Sequence, residues 1–322
     1  MNAAVIDDPG KAPRLAEFPE PVAGDGEVIV SVLAAALKPL DKQLASGSHY
    51  ASQSRKLPYV CGTDGVGRRG DGSRVLFAMP RWPYGAMAER TVVPRNLCLP
   101  LEDDVDDRTA AAVFNPGLSA WASLTWRARL TPGETVLVLG ATGVTGQLAV
   151  QTARLLGAGR IVAAGRNQQV LGSLQQMGAD AAIRLDAPGQ DLTEAFAREA
   201  APSGFDVIID YLWGPPSEAL LAAITRRDFA AGSSPVRLVQ VGESAGPSIT
   251  LSAAVLRSSR LEILGAGSGS APPAEAWAAA LRELMAHVAT GKLRIETRRI
   301  ALGDIETEWT RDQHGSRFVI VP

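Results

Sequence analysis

The rhythm of hydrophobic and polar positions changes partway along the chain. Over the first 115 or so residues the apolar stretches are short. Glu27 to Leu33 (EVIVSVL) alternates as a half-buried strand does, and turn residues interrupt at Gly24–Gly26, Ser46–Ser48, Arg69–Ser73 and Pro80–Pro83. No helix of useful length is placed there, so this part reads as a mostly β domain with long loops. From Thr135 the pattern becomes one of almost wholly apolar runs: TVLVLG (135–140), RIVAAG (160–165), FDVIID (205–210), VRLVQVG (236–242) and LEILGAG (261–267). Each reads as a parallel strand covered on both faces. Helical stretches lie between them at 147–156, 168–177, 216–225 and 250–258. In the first of these Leu148, Ala149, Ala153 and Leu156 share a face while Gln151 and Arg154 point away. Strands alternating with helices at this spacing predict an α/β fold, a parallel sheet with helices on both faces. The tail is separate: a helix over 275–291 with Trp277, Leu281, Leu284 and His287 or Val288 on one face, then a closing strand at Phe318–Val321.

Composition narrows the class. A chain of 322 residues holds roughly two domains. With 46% apolar and 20% charged residues it has enough to bury sizeable cores. Lys plus Arg (32) against Asp plus Glu (34) leaves a net charge of −2, which argues against a nucleic-acid or anionic-membrane partner. Cys61 and Cys98 alone cannot form a disulfide scaffold or a four-cysteine zinc site, and they suggest a reducing compartment. The opening MNAAVIDDPGK lacks the order of a secretion signal, and no apolar run reaches the roughly 20 residues of a membrane span. The expectation is a cytoplasmic protein.

The most specific signal is the strand, turn and helix TVLVLG-ATGVTG-QLAVQTARLLG, with the spacing Ala141-x-Gly143-x-x-Gly146. A dinucleotide's pyrophosphate needs exposed backbone N–H groups at a helix N-terminus. Gly143 leaves room for that approach, Gly146 lets helix and strand pack closely, and Ala141 stands at the usual first glycine. Ala141, Thr142, Gly143, Val144, Thr145 and Gly146 are therefore the candidate phosphate cradle. An acidic residue ending the second strand would favour NAD. Here the strand ends in Gly165-Arg166-Asn167, and an arginine can hold a 2′-phosphate through charge-assisted contacts. The expected cofactor is NADPH.

With these residues in view, the chain resembles the medium-chain dehydrogenase/reductase superfamily in its zinc-independent quinone oxidoreductase branch. The resemblance runs through GDGEVIVSVLAAALKPLDKQLASG, CGTDGVG (61–67), GAMAERTVVP (85–94), NPGLSAW (115–121), TPGETVLVLGATGVTG and MGAD (177–180). It implies a Rossmann doubly wound parallel sheet domain (116–271) inserted in a GroES-like mostly β domain (1–115 plus 272–322). It also implies a cofactor cleft between the two, and a homodimer. Where the superfamily's zinc enzymes carry Cys, a His-Glu pair and a second Cys, this chain has Leu37–Lys38, Thr63-Asp64 and Asn115. The expectation is a metal-free site. Without a Lewis acid, hydride must go to an acceptor already electrophilic, a quinone or an α,β-unsaturated carbonyl.

The resemblance places Asn115 and Ser119 near the nicotinamide, Val241-Gly242 and Gly265-Ala266-Gly267 at its carboxamide, and Arg317 near the pyrophosphate. The branch's usual Asn and Tyr are replaced here by Lys38 and Gln43. Lys38 could bond a developing oxyanion with Asp41 orienting it, but the simpler reading of Lys38–Asp41 is a surface ion pair of little worth. Tyr50, beside His49, is the proton-donor candidate. The aromatic loop Arg81-Trp82-Pro83-Tyr84 is a candidate substrate wall. Two alternatives stand beside the quinone or enone reductase. One is an enoyl-thioester reductase, with Arg68, Arg69 and Arg74 meeting the carrier's phosphates. The other is an NADPH-binding redox sensor or interaction protein with little turnover.

Overall fold

The structure is a computed structural model that describes residues 1–49, 52, 56–187, 191–201, 203–224 and 235–322, with the side chains of residues 258 and 268 left out. The chain divides into two compact units, Met1–Asn115 with Leu281–Pro322, and Pro116–Ala280.

The first unit opens with strands β1 (Asn2–Ile6), β2 (Arg14–Glu17), β3 (Glu27–Ala36), β4 (Tyr59–Val60), β5 (Asp64–Arg69), β6 (Arg74–Ala78), β7 (Arg90–Pro94) and β8 (Cys98–Pro100). The alternation read in EVIVSVL holds from Val28 to Val32, and then the strand runs on fully buried through Ala34–Ala36. That extension delivers the chain into helix α1 (Pro39–Ser46), which the hydrophobic pattern did not announce because eight residues are too few for a periodic face. Its end signals were nonetheless present. Pro39 takes the first helical position, Asp41 Oδ2 accepts the Lys38 amide at 2.9 Å, and Gly47 closes the helix with φ of 78°. Helix α2 (Asp107–Ala122) is the second correction to a helix-free first part. Asp106 caps it by accepting the Thr109 amide at 2.9 Å, and Pro116 sits inside it.

The second unit holds β9 (Thr135–Leu139), α3 (Val144–Leu155), β10 (Arg160–Gly165), α4 (Gln168–Gln176), β11 (Ala181–Arg184), α5 (Leu192–Glu199), β12 (Val207–Asp210), α6 (Gly214–Ile224), β13 (Val236–Gln240), α7 (Ala253–Ser258) and β14 (Leu261–Gly265). The six strands pair in parallel in the order β11-β10-β9-β12-β13-β14. This is the doubly wound Rossmann order, which reverses direction between β9 and β12. Leu137, Leu139, Val162, Ile208 and Leu238 fill its core at no more than 2% exposure, each contributing about 1.5–3 kcal/mol of burial. The short β11 and α5 did not stand out in the sequence. Of the four residues of β11 only Ile183 is buried or apolar beyond alanine size, and the strand's pairing comes from β10.

Helix α8 (Ala274–Ala289) buries Leu281, Leu284, Met285 and Val288. Strands β15 (Thr297–Ala301) and β16 (Arg317–Val321) then return to the first unit's larger sheet, of order β15-β16-β3-β5-β6-β8, with β7 also on β3. The closing strand of the sequence thus pairs antiparallel with β3, Val319 opposite Ala36. Among the described residues no helix is long and apolar enough to cross a membrane.

Candidate active site

In a parallel sheet the loops at the carboxyl ends of the strands surround the ligand crevice. The register lines those ends up: Arg184 is level with Gly165, Ala164 with Leu139, Leu139 with Asp210, Asp210 with Gln240, and Gln240 with Gly265. The expected cofactor segments 141–146, 165–167, 241–242 and 265–267 therefore share one edge of the second unit.

At the phosphate turn the left-handed residue is Gly140, with φ of 82°, and not Ala141. A side chain on Gly140 would also meet Leu212 and Tyr211. Ala141 lies fully buried behind the turn, its amide donating to Ala164 O at 2.9 Å. Gly146 has no room for a Cβ, which would fall 2.6 Å from Ala141 Cα and closer still to Gly140 O. A Cβ on Gly143 would meet only Gly140 O at 3.5 Å, so the fold does not need this glycine. Gly143 is the extended N-cap of α3 and offers no side-chain cap. The first amide bonded back into the helix is that of Gln147, to Gly143 O at 2.9 Å. The amides of Val144, Thr145 and Gly146 thus begin the helix without carbonyl partners in it, as an anion site requires.

Gly165 is imposed by Thr142, whose Oγ1 would lie 2.8 Å from a Cβ there. Asn167 is the N-cap of α4, its Oδ1 accepting the Val170 amide at 3.1 Å. Arg166 is exposed and makes no hydrogen bond or ion pair among the described residues. Beside it, sequence reasoning missed Arg184 at the end of β11. Arg184 Nε donates to Asp186 Oδ1 at 2.9 Å and its Nη1 to Gln168 Oε1 at 3.0 Å.

Asp210, at the end of β12, was also missed. It is fully buried, and its Oδ1 accepts the amides of Leu212 (2.8 Å) and Trp213 (2.9 Å) while Oδ2 accepts Ser217 Oγ at 2.5 Å. These bonds hold a turn in which Trp213 and Gly214 both have positive φ. Burial pushes the Asp210 carboxyl above its usual range despite those donors. The Asp210 carbonyl receives the amides of Val241 and Gly242, at 2.8 and 3.2 Å, and the Ala266 amide goes to Gln240 O at 2.8 Å. The Gly267 amide goes to Ser270 Oγ at 3.0 Å. On α2, Asn115 is exposed and Ser119 half-buried, one helical turn apart.

In the first unit, Lys38 and Asp41 are not the exposed pair expected. Both are buried, with Asp64, because β3 runs directly into α1 beneath the sheet. Lys38 Nζ lies 3.0 Å from Asp64 Oδ1, 3.1 Å from Ala36 O and 3.3 Å from Asp41 Oδ2. Two of its three N–H donors are taken by Asp64 and Ala36, and Asp41 stands at ion-pair distance. Burial works against this charge, but Asp41 and Asp64 outweigh it and raise the Lys38 pKa. Burial likewise pushes the Asp64 carboxyl up, with Lys38 opposing. Thr63 Oγ1, half-buried, donates to Asp64 Oδ2 at 2.9 Å and stands 3.3 Å from Asp41 Oδ1. Arg317 belongs to this same cluster: it is 4% exposed, its Nη1 donates to Leu37 O at 2.8 Å, and its Nε is buried without a partner. Burial lowers its pKa to about 10. Gln43 is exposed and His49 half-buried, while Tyr50 lies outside the described residues.

Comparison with known proteins agrees with this architecture. Residues 144–286 match the profile of a family described as "Zinc-binding dehydrogenase". The "Probable NADPH-dependent quinone reductase tdiC" of Emericella nidulans is 26% identical in an alignment covering all of both chains. A quinone oxidoreductase of Pseudomonas syringae superposes with a TM-score of 0.85 at 23% identity over all of both chains. The chain is therefore similar, in sequence and in fold, to quinone oxidoreductases of the medium-chain dehydrogenase/reductase type. A further superfamily neighbour, a mycobacterial protein solved as a complex with NADPH, has a TM-score of 0.81 at 21% identity over all of both chains.

The zinc implied by the profile's description does not fit these side chains. The matched segment contains neither cysteine nor histidine. At the expected ligand positions the Lys38 ammonium already occupies the carboxylates of Asp41 and Asp64. Among the described residues no group of three His, Cys, Asp or Glu side chains is placed to hold a metal.

Proposed function

We propose that the protein is an NADPH-dependent, zinc-free oxidoreductase that delivers hydride to a quinone or an α,β-unsaturated carbonyl. In this reading the first unit is a GroES-like substrate domain and the second is the dinucleotide domain. The observation that carries it is the end of β10: Gly165-Arg166-Asn167 puts an exposed guanidinium, without an ion pair among the described residues, where a carboxylate would select NAD. The name of the Emericella nidulans relative and the NADPH complex of the mycobacterial neighbour support the same cofactor.

Bound NADPH supplies the hydride; the chain's own residues hold and aim it. The α3 amides of Val144, Thr145 and Gly146 receive the pyrophosphate, with Thr142 and Gly143 giving it room. Val241-Gly242 and Gly265-Ala266-Gly267 present backbone groups to the carboxamide, and Asn115 and Ser119 face the nicotinamide. Lys38 is buried and already bonded to Asp64 and Ala36, with Asp41 at ion-pair distance, which holds it away from a substrate oxygen. That favours acceptors needing little oxyanion help. A quinone spreads its charge over the ring and takes protons from water, whereas an enone needs a positioned donor such as Tyr50. Among the described residues β14 pairs only with β13, and its open edge is the surface this reading gives to a homodimer.

The test is steady-state NADPH and NADH oxidation with 1,4-benzoquinone, 9,10-phenanthrenequinone, cyclohexenone and crotonyl-coenzyme A. Quinone turnover with at least about tenfold preference for NADPH, lost in Arg166→Ala, is the expected result. Tight NADPH binding without turnover of any acceptor would instead establish a binding or sensing protein. Turnover of crotonyl-coenzyme A alone would establish an enoyl-thioester reductase.

A further inference from the structure

The end of β10 carries more than one arginine. Arg184 is level with Gly165 on the neighbouring parallel strand, at the same carboxyl edge of the sheet as Arg166, and the charges of both arginines reach Asp186. The nine-residue helix α4 begins there too, directing its N-terminal partial charge toward the same place. One carboxylate already answers this positive charge. Asp186 accepts Arg184 Nε at 2.9 Å. The Arg184 hydrogen bond is the chief reason the Asp186 pKa lies below the usual carboxylate range, and Arg166 adds to the effect.

We infer that Arg184 is a second specificity-determining residue for the cofactor's 2′-phosphate, and that Asp186 is an internal anion which the phosphate displaces from it. The inference rests on the NADPH reading above and assigns two residues that reading does not use. The ion pair is suited to exchange. Its side chains are 41% and 46% exposed, and pairs so open to water contribute little to stability. A phosphate monoester carries close to two negative charges and three acceptor oxygens, more than the single carboxylate it replaces. The 2′-hydroxyl of NADH carries no charge and leaves Arg184 with Asp186. The arrangement thus discriminates twice, by attracting the phosphate and by giving the unphosphorylated ribose nothing to displace.

The experiment uses the full chain and its Arg166→Ala, Arg184→Ala and Asp186→Asn variants. Dissociation constants for NADPH, NADH, 2′,5′-ADP and 5′-AMP are measured by calorimetry. Arg184→Ala is expected to weaken NADPH and 2′,5′-ADP by about tenfold or more, with NADH and 5′-AMP unchanged; the latter two report an intact fold. Asp186→Asn is expected to tighten NADPH and 2′,5′-ADP about two- to fivefold and leave NADH unchanged. If the wild type prefers NADPH and Arg166→Ala removes the preference while Arg184→Ala keeps it, the inference fails and the NADPH reading stands. Weakened phosphate binding in Asp186→Asn also overturns it, because the carboxylate would then be helping. Equal wild-type affinity for NADPH and NADH overturns both.

Discussion

Lys38 Nζ stands 3.0 Å from Asp64 Oδ1, with 3% and 4% of the two side chains left in contact with water. The two residues are 26 positions apart in sequence and meet because β3 and β5 pair as neighbours. Asp41 and Arg317 complete the cluster, giving two cations and two carboxylates. Removing one partner of such a set leaves a buried charge uncompensated, which costs far more than the intact set contributes.

Lys38→Met should therefore lower unfolding free energy by about 3–5 kcal/mol in urea titrations. The double variant Lys38→Met/Asp64→Asn should recover part of that loss. A single variant as stable as wild type would mean that the carboxylates are hydrated and that the cluster is not closed.

The two glycines of the phosphate turn separate folding from binding. Gly146→Ala forces a methyl against Gly140 and Ala141 and should cost about 1–3 kcal/mol of stability. Gly143→Ala meets only an ordinary contact at 3.5 Å. It should leave the melting temperature close to wild type while weakening dinucleotide binding, because its methyl enters the space in front of the α3 amides. Thermal melts with and without NADPH compare the two.

Asp210 makes stability depend on pH with a definite sign. Burial raises its folded pKa above the unfolded value. A carboxyl raised on folding contributes stability that is full below the unfolded pKa and is lost as pH climbs through the folded one. Asp210→Asn keeps an acceptor for the Leu212 and Trp213 amides and does not titrate. As pH rises above the ordinary carboxylate range the wild type should lose stability relative to this variant, measured by urea unfolding at each pH. A difference that stays constant with pH would rule the effect out.

Dialysis against a chelator should leave quinone reduction unchanged, and elemental analysis should find zinc well below one equivalent. The reason lies in the donor set: an ammonium holds the carboxylates at the expected metal position. Loss of activity restored by added zinc would contradict this.

The strands of the second unit were legible because their information is local. Runs such as TVLVL and RIVAAG are almost wholly apolar, which suits a strand covered on both faces, and the glycine-rich turn between strand and helix has one economical use. The turn was evident in the sequence, whereas the left-handed conformation of Gly140, the residue before Ala141, came from the structure. What lacked a local signature needed tertiary structure. Four-residue β11 becomes a strand through pairing with β10, and only that pairing sets Arg184 beside Gly165. Arg317 and Leu37 are 280 positions apart, and Lys38 reads as a surface lysine until β16, β3 and β5 enclose it. The chain alone therefore determined the dinucleotide fold and its phosphate turn, because backbone periodicity and close approach are written in neighbouring residues. The folded molecule decided which charges are buried and which stay open, because burial is a property of strands brought together from distant parts of the chain.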